Sequence, residues 1–211
     1  MFDLYIANKN YSSWSLRPWV LLKALEIPFN EHLMPFEGGF GDSYTTFKRF
    51  SPSGLVPCLV DNDHNVAVWD SLAIVEYVAE THPNVWPQER EARAWARSAS
   101  AEMHSSFGAL RDECSMNCGV RVAMNELSPG LKSNMARLDA LWQEGLARVG
   151  GPFLAGDRFT AVDAFYAPVA FRIQTFNLTL SEVSLAYVQR LLDIPAMQDW
   201  YAAALKETWR E

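Results

Sequence analysis

Hydrophobic and polar positions along this chain follow two rhythms, and the change between them falls near residue 82. Ahead of it, short apolar runs alternate with longer helical ones. Phe2-Asp3-Leu4-Tyr5-Ile6-Ala7 is a run of the kind a sheet buries, and the spacing after it predicts a helix over about 15–26. Further strands are expected at about 29–35, at 57–61 and at 66–69, with a helix at 70–81. That order implies a small mixed sheet with helices laid against it. Pro83 and Pro87 then interrupt the chain, so residues 83–88 are read as a linker. From Glu89 onward strand signals fade. Leu131, Met135, Leu138, Trp142, Leu146 and Val149 recur at steps of three and four, with Ser128-Pro129 opening that helix and Gly150-Gly151 closing it. A long apolar helix follows Thr160, and Pro168 inside it is expected to kink it or to fall near a bend. The fold class expected is an α/β domain over 1–82 followed by an all-α domain over 89–211.

Composition narrows the class. With 49% hydrophobic and 20% charged residues, the 211-residue chain can bury a substantial core. A net charge of −7 without any Lys/Arg cluster argues against nucleic acid as a partner. No basic leader precedes an apolar run, and no apolar stretch is long enough to span a bilayer. No membrane partner is expected, and a cytoplasmic setting is. Cys58, Cys114 and Cys118 form no CxxC pair, which suits reduced thiols, and few His lie near them, so no metal is expected.

Three segments carry candidate chemistry. Tyr11-Ser12-Ser13-Trp14-Ser15 sits between the first strand and the first helix, where hydroxyls and free N–H groups gather around one point and stabilise an anion. Ser51-Pro52-Ser53-Gly54-Leu55-Val56-Pro57-Cys58 is a turn running into a strand, and Pro57 belongs at the strand's first residue or on an edge. Asp70-Ser71 opens a helix, where an acid caps amides or accepts from an ammonium. Other signals fail. Gly38-Gly39-Phe40-Gly41 lacks the Lys-Ser/Thr of a phosphate loop and is read as a flap near the ligand. No Gly-x-Ser-x-Gly elbow supports a hydrolase triad.

In order and spacing these three segments resemble the cytosolic glutathione S-transferases, and residues 1–82 resemble their thioredoxin-like glutathione-binding domain. Phe159-Thr160-Ala161-Val162-Asp163-Ala164-Phe165 is similar to the capping box of the family's helical domain, with Thr160 as N-cap and Asp163 three residues on. The serine turn is similar to the zeta-type Ser-Ser-Cys-Ser, with Trp14 in place of Cys. The resemblance implies a glutathione transferase in which a Ser hydroxyl holds the glutathione thiol as thiolate for addition to a small electrophile. Glutathione is then a co-substrate and the chain a homodimer.

The resemblance also implies site roles. The zeta pattern places thiol activation on Ser12, whereas counting back from Arg17, as theta and delta types do, places it on Ser13. Ser15 joins the glutathione-binding set, and Tyr11 is a further donor or a wall residue. Val56, ahead of Pro57, pairs with the cysteinyl unit, and Asp70 and Ser71 hold the γ-glutamyl end, although the family more often has Glu or Gln at the acid. Lys48 and Arg49 are either partners of the glycyl carboxylate or a solvated charge pair. The electrophile pocket is expected between the domains. Its wall is Ala101–Arg111, with Met103, Phe107 and Arg111 on one helical face and His104 close to it. Arg111 is then an anion binder, a carbonyl polariser or simply an interhelix bridge, and Met116-Asn117-Cys118 closes the same pocket. Glutathione-dependent cis–trans isomerisation, of the maleylacetoacetate type, and non-catalytic ligand binding are the alternatives.

Overall fold

The computed structural model describes residues 1–36, 38, 43–124 and 126–207. In chain order the first elements are β1 (Phe2–Ile6), α1 (Ser13–Ala24), β2 (Phe29–Leu33), α2 (Tyr44–Phe47), β3 (Cys58–Asp61), β4 (Val66–Trp69) and α3 (Ser71–Ala79). A short 3-10 turn at Pro83–Val85 occupies the expected linker. The helices α4 (Arg90–Ser105), α5 (Gly108–Glu113), α6 (Pro129–Val149), α7 (Ala161–Phe176), α8 (Glu182–Leu192) and α9 (Pro195–Lys206) follow. An α/β domain followed by a helical domain is therefore what the chain forms. The single turn α2 was not expected, because four residues are too few to show a period.

β2 pairs with β1 in parallel, Phe2 opposite Phe29, and β3 pairs with β1 antiparallel, Tyr5 opposite Cys58. β4 folds back on β3, giving the strand order β2-β1-β3-β4. The parallel pair needs a crossover, and α1 supplies it. Leu16, Trp19, Val20, Leu21 and Leu22 of α1 are all buried, because the helix packs on β1 and α3 and also on α7 and α9. That explains why its sequence is apolar nearly all round rather than striped. Trp19 meets Trp200 of α9 edge-on at 5.1 Å, which ties the sheet domain to the end of the helical one.

α7 is the axle of the helical domain, with almost every side chain buried against α1, α4 or α8. Pro168 lies inside this helix, which runs on past it to Phe176. Its start is fixed by the capping box: Thr160 N–H donates to Asp163 at 2.9 Å. The same carboxylate accepts from Leu154 N–H at 3.1 Å and from the Tyr187 hydroxyl at 2.7 Å. Burial nonetheless pushes the Asp163 carboxyl up to about 6.

One expected helix face does not exist. Residues 101–111 are not one helix: α4 stops at Ser105, Phe107 takes a left-handed φ of 61°, and α5 starts afresh at Gly108. Arg111 turns back over the end of α4, where its guanidinium binds the carbonyls of Met103 and His104 and, at 3.1 Å, that of Ser106. Orphan carbonyls at a helix end draw such a cation.

Candidate active site

The turn after β1 is built on a single carbonyl. Asn8 C=O accepts Tyr11 N–H at 3.1 Å and Ser12 N–H at 2.8 Å, which swings the chain round into α1. Ser12 stands at the N-cap of α1, yet its hydroxyl caps no helical amide. It donates instead to Ser15 Oγ at 2.7 Å, and Ser15 Oγ also accepts Ala7 N–H at 3.3 Å. Ser15 is fully buried behind the turn, where it holds Ser12 and the Ala7 amide together. Ser13 Oγ accepts from Arg172 Nη2 at 3.3 Å. Arg172 comes from α7, and the sequence reading missed it. The only cue is a lone basic side chain in an otherwise apolar helix.

Above the turn lies a cavity of about 670 Å³ between the two domains. Ser12, Ser13, Val56, Pro57, Asp70 and Ser71 all line it, together with Tyr11 and Trp14. The Val56–Pro57 peptide bond is cis. From the helical domain come Arg111, Ser115, Met116 and Arg172. Of the four residues expected on the electrophile wall, only Arg111 lines this cavity. Met103 and Phe107 are core side chains, at 2% and 4% exposure: Met103 belongs to the buried face of α4, and Phe107 is the left-handed residue between α4 and α5. His104 lies behind Trp14, edge-on at 5.2 Å, with Nε2 at 3.5 Å from Asp70 Oδ2. Burial holds the imidazole pKa below its ordinary value. Met116 is where it was expected. Asn117 and Cys118 instead serve the neighbouring backbone, Cys118 N–H donating to Asn10 C=O at 3.3 Å. Lys48 binds the carbonyl of Pro52, and neither it nor Arg49 lines the cavity. The expected flap falls mostly on Gly39, Phe40 and Gly41, outside the described residues.

Asp70 adopts φ 77° and caps α3, its Oδ1 accepting Leu72 N–H at 2.8 Å. Ser71 Oγ accepts from Arg17 Nη1 at 3.2 Å. Arg17 is buried under Trp14, its guanidinium 4.2 Å from that ring's centre, while Arg111 reaches the same ring at 4.9 Å. Trp14 therefore gathers two cations on its π faces. Burial, with Arg111 and Arg172 nearby, brings the Arg17 pKa down to about 9, and burial beside Arg111 brings Arg172 down to about 10. The charged side chains lining the cavity are Arg111 and Arg172 against Asp70. Among the described residues no cluster of three or more His, Cys, Asp or Glu is placed to hold a metal.

Family models fall on both halves of this arrangement: the glutathione S-transferase N-terminal domain matches residues 11–81 and the glutathione S-transferase C-terminal domain matches 93–203. The chain belongs to the glutathione S-transferase family. Among its relatives are a probable maleylacetoacetate isomerase of Caenorhabditis elegans and the glutathione S-transferase GstB of Escherichia coli. Each is 28% identical to it over 92% of this chain and 89% of its own length. Solved structures share the transferase fold. A Burkholderia glutathione transferase homologue with bound glutathione has TM-score 0.72 at 20% identity over 98% of this chain and 99% of its own. A theta-class glutathione S-transferase of Xanthomonas axonopodis pv. citri, also with glutathione bound, has TM-score 0.69 at 23% identity over 97% and 99%.

Proposed function

We propose that this family member is a glutathione transferase in which Ser13 holds the glutathione thiolate and the helical domain receives the electrophile. The observation that carries the reading is the opposite hydrogen bonding of two adjacent serines. A hydroxyl has one proton and two lone pairs. Ser12 gives its proton to Ser15, whereas Ser13 accepts one from Arg172, which leaves the Ser13 proton free for a sulfur in the cavity. The zeta-like placement on Ser12 is thereby less favoured than the placement on Ser13. Glutathione seats with its cysteinyl unit along Val56 and its γ-glutamyl end at Asp70 and Ser71, in the domain over 1–82. The domain over 89–211 supplies Arg111, Met116 and Arg172.

A free thiol of pKa about 8.5 is only a few per cent ionised at neutral pH. A hydrogen bond to a charged group contributes about 1.5–3 kcal/mol, or about one to two pKa units. Absorbance titration of bound glutathione tests this. Ser13→Ala is expected to raise the thiol pKa by about one to two units and to cut conjugation of a chloronitrobenzene about 10- to 100-fold at neutral pH. Ser12→Ala is expected to move it less. The reverse order would return the role to Ser12. A wild-type thiol that binds without any shift would favour the non-catalytic binder.

A second reading has its own support. Arg111 and Arg172 on the cavity wall favour an electrophile that carries a carboxylate, as a glutathione-dependent isomerase of the maleylacetoacetate type requires. The reading also includes a homodimer. Val66 and Trp69 leave an apolar face at the sheet edge, 38% and 46% exposed, beside a groove lined by Leu72 and Ala73.

A further inference from the structure

The serine turn is anchored from the far end of the chain. Its root, Asn8-Lys9-Asn10, is buried, so its backbone N–H and C=O groups need protein partners. Glu207, just past α9, supplies the acceptors. Its Oε1 accepts Lys9 N–H at 2.6 Å and its Oε2 accepts Asn10 N–H at 3.1 Å. One carboxylate thus closes on two successive amides, the geometry of an anion held in a backbone nest. The same end of the chain grips the other side of the peptide, since Trp200 Nε1 of α9 donates to Lys9 C=O at 2.8 Å. The loop after α5 completes the set, with Gly119 N–H donating to Asn10 Oδ1 at 3.0 Å.

Little slack separates this root from the serines. Asn8 C=O holds Tyr11 N–H and Ser12 N–H, and Tyr11 C=O accepts Ser13 N–H at 2.9 Å, so a shift of Lys9 and Asn10 is passed on directly. The Lys9 side chain is fixed elsewhere: Nζ pairs with Glu31 at 2.7 Å and lies over the rings of Trp19 and Trp200. That leaves the main-chain amides to Glu207.

From this geometry we infer that Glu207 is a positioning residue for thiol activation, setting where the Ser12 and Ser13 hydroxyls stand relative to the glutathione sulfur. The inference rests on the transferase reading above. Glu207 touches no reacting atom. It acts through the turn, and a displacement of about 1 Å at such a site costs about 100-fold in rate. Both carboxylate oxygens are needed, because Gln offers one acceptor and turns an NH₂ toward the second amide.

Glu207→Ala and Glu207→Gln are compared with wild type and with Asp139→Ala. Asp139 is a polar anchor remote from the turn, accepting from Ser181 N–H and both Ser181 and Ser184 hydroxyls at the start of α8. Two readouts are taken: amide exchange over residues 7–16 by mass spectrometry without ligand, and the pKa of bound glutathione by absorbance. Glu207→Ala is expected to speed exchange over 7–16 about 10-fold or more. It is also expected to move the bound thiol at least halfway back toward about 8.5, with glutathione affinity nearly unchanged. Glu207→Gln falls between, and Asp139→Ala lowers the melting temperature without moving the thiol. Unchanged exchange over 7–16 overturns the anchor on its own, whatever glutathione does. Faster exchange with a wild-type thiol pKa, or a thiol shift that Asp139→Ala reproduces, overturns the positioning role. A wild-type thiol already unshifted overturns the transferase reading and the positioning role with it, while the exchange data still judge the anchor.

Discussion

Ser12 and Ser13 are neighbours of identical chemistry, and what separates them is the direction of one proton. Ser12 donates inward to Ser15, and Ser13 receives from Arg172. That distinction was hidden in the sequence because Arg172 lies 159 positions from Ser13. That Val56, Asp70 and Ser71 line the cavity was legible for the opposite reason: each belongs to a local junction of turn, strand and helix. Trp14 read as a departure from a pattern, and its role as a platform for Arg17 and Arg111 needed the fold. A residue-scale prediction concerns Asp61. Its carboxylate accepts from Tyr77 Oη and His64 Nδ1, each at 2.8 Å, and from Asp63 N–H at 3.0 Å. These donors hold its pKa down to about 2, from an ordinary 3.8. A lowered folded-state pKa contributes stability that is complete above the unfolded value and is lost as pH falls through the folded one. The stability gap between wild type and Asp61→Asn should therefore be constant above about pH 5 and shrink from about pH 4 toward 2. Urea midpoints across that range measure it, and a gap independent of pH would refute it.

Elements were read most reliably where period and caps agreed. α6 begins at Pro129 and ends at Val149, between the opening and closing signals expected for it. Its buried stripe nevertheless runs through Leu131, Met135, Leu138, Leu141, Trp142 and Gly145, while Val149 is 38% exposed. The final turn rises off the core, where a periodic pattern alone assigns burial. Gly145 shows what that stripe packs against. A Cβ there would stand 2.3 Å from Trp95 Cη2 and 2.9 Å from the Leu154 carbonyl oxygen. Alanine is the better helix former by about 1 kcal/mol, but overpacking against backbone costs about 1–3 kcal/mol. Gly145→Ala is expected to destabilise on balance, by urea unfolding, and a more stable variant would show that Trp95 swings aside freely. The other misreading, 101–111 as one helix, has the same origin. Steps of four continue across Ser106 in the sequence, while the chain itself breaks at Phe107.

At the scale of the whole molecule the site belongs to neither domain alone. The sheet domain brings the serine turn, Val56 and Asp70; α7 brings Arg172, while Glu207, past α9, holds the root of the turn from outside the cavity. The apolar face on β4 and α3 runs outward from the cavity, which it meets at Trp69. With a second copy covering it, sedimentation should give about twice the chain mass of 23.8 kDa. Ala73→Glu, on the exposed side of α3, should return the protein to one chain mass. A wild type that sediments as a single chain would remove the dimer from the reading.

The sequence by itself determined what is local: the strand–turn–helix junctions, the caps of α6 and α7, the change from mixed sheet to helices, and the family. Hydrogen bonds that close within a few residues and a period that repeats every few residues leave their mark on adjacent letters. Tertiary structure decided that Ser12 pairs with Ser15 and Ser13 with Arg172, which arginines face the cavity, and that Met103 and Phe107 are core. Those outcomes depend on contacts between positions far apart in the chain, whose orientation is set only when the elements pack.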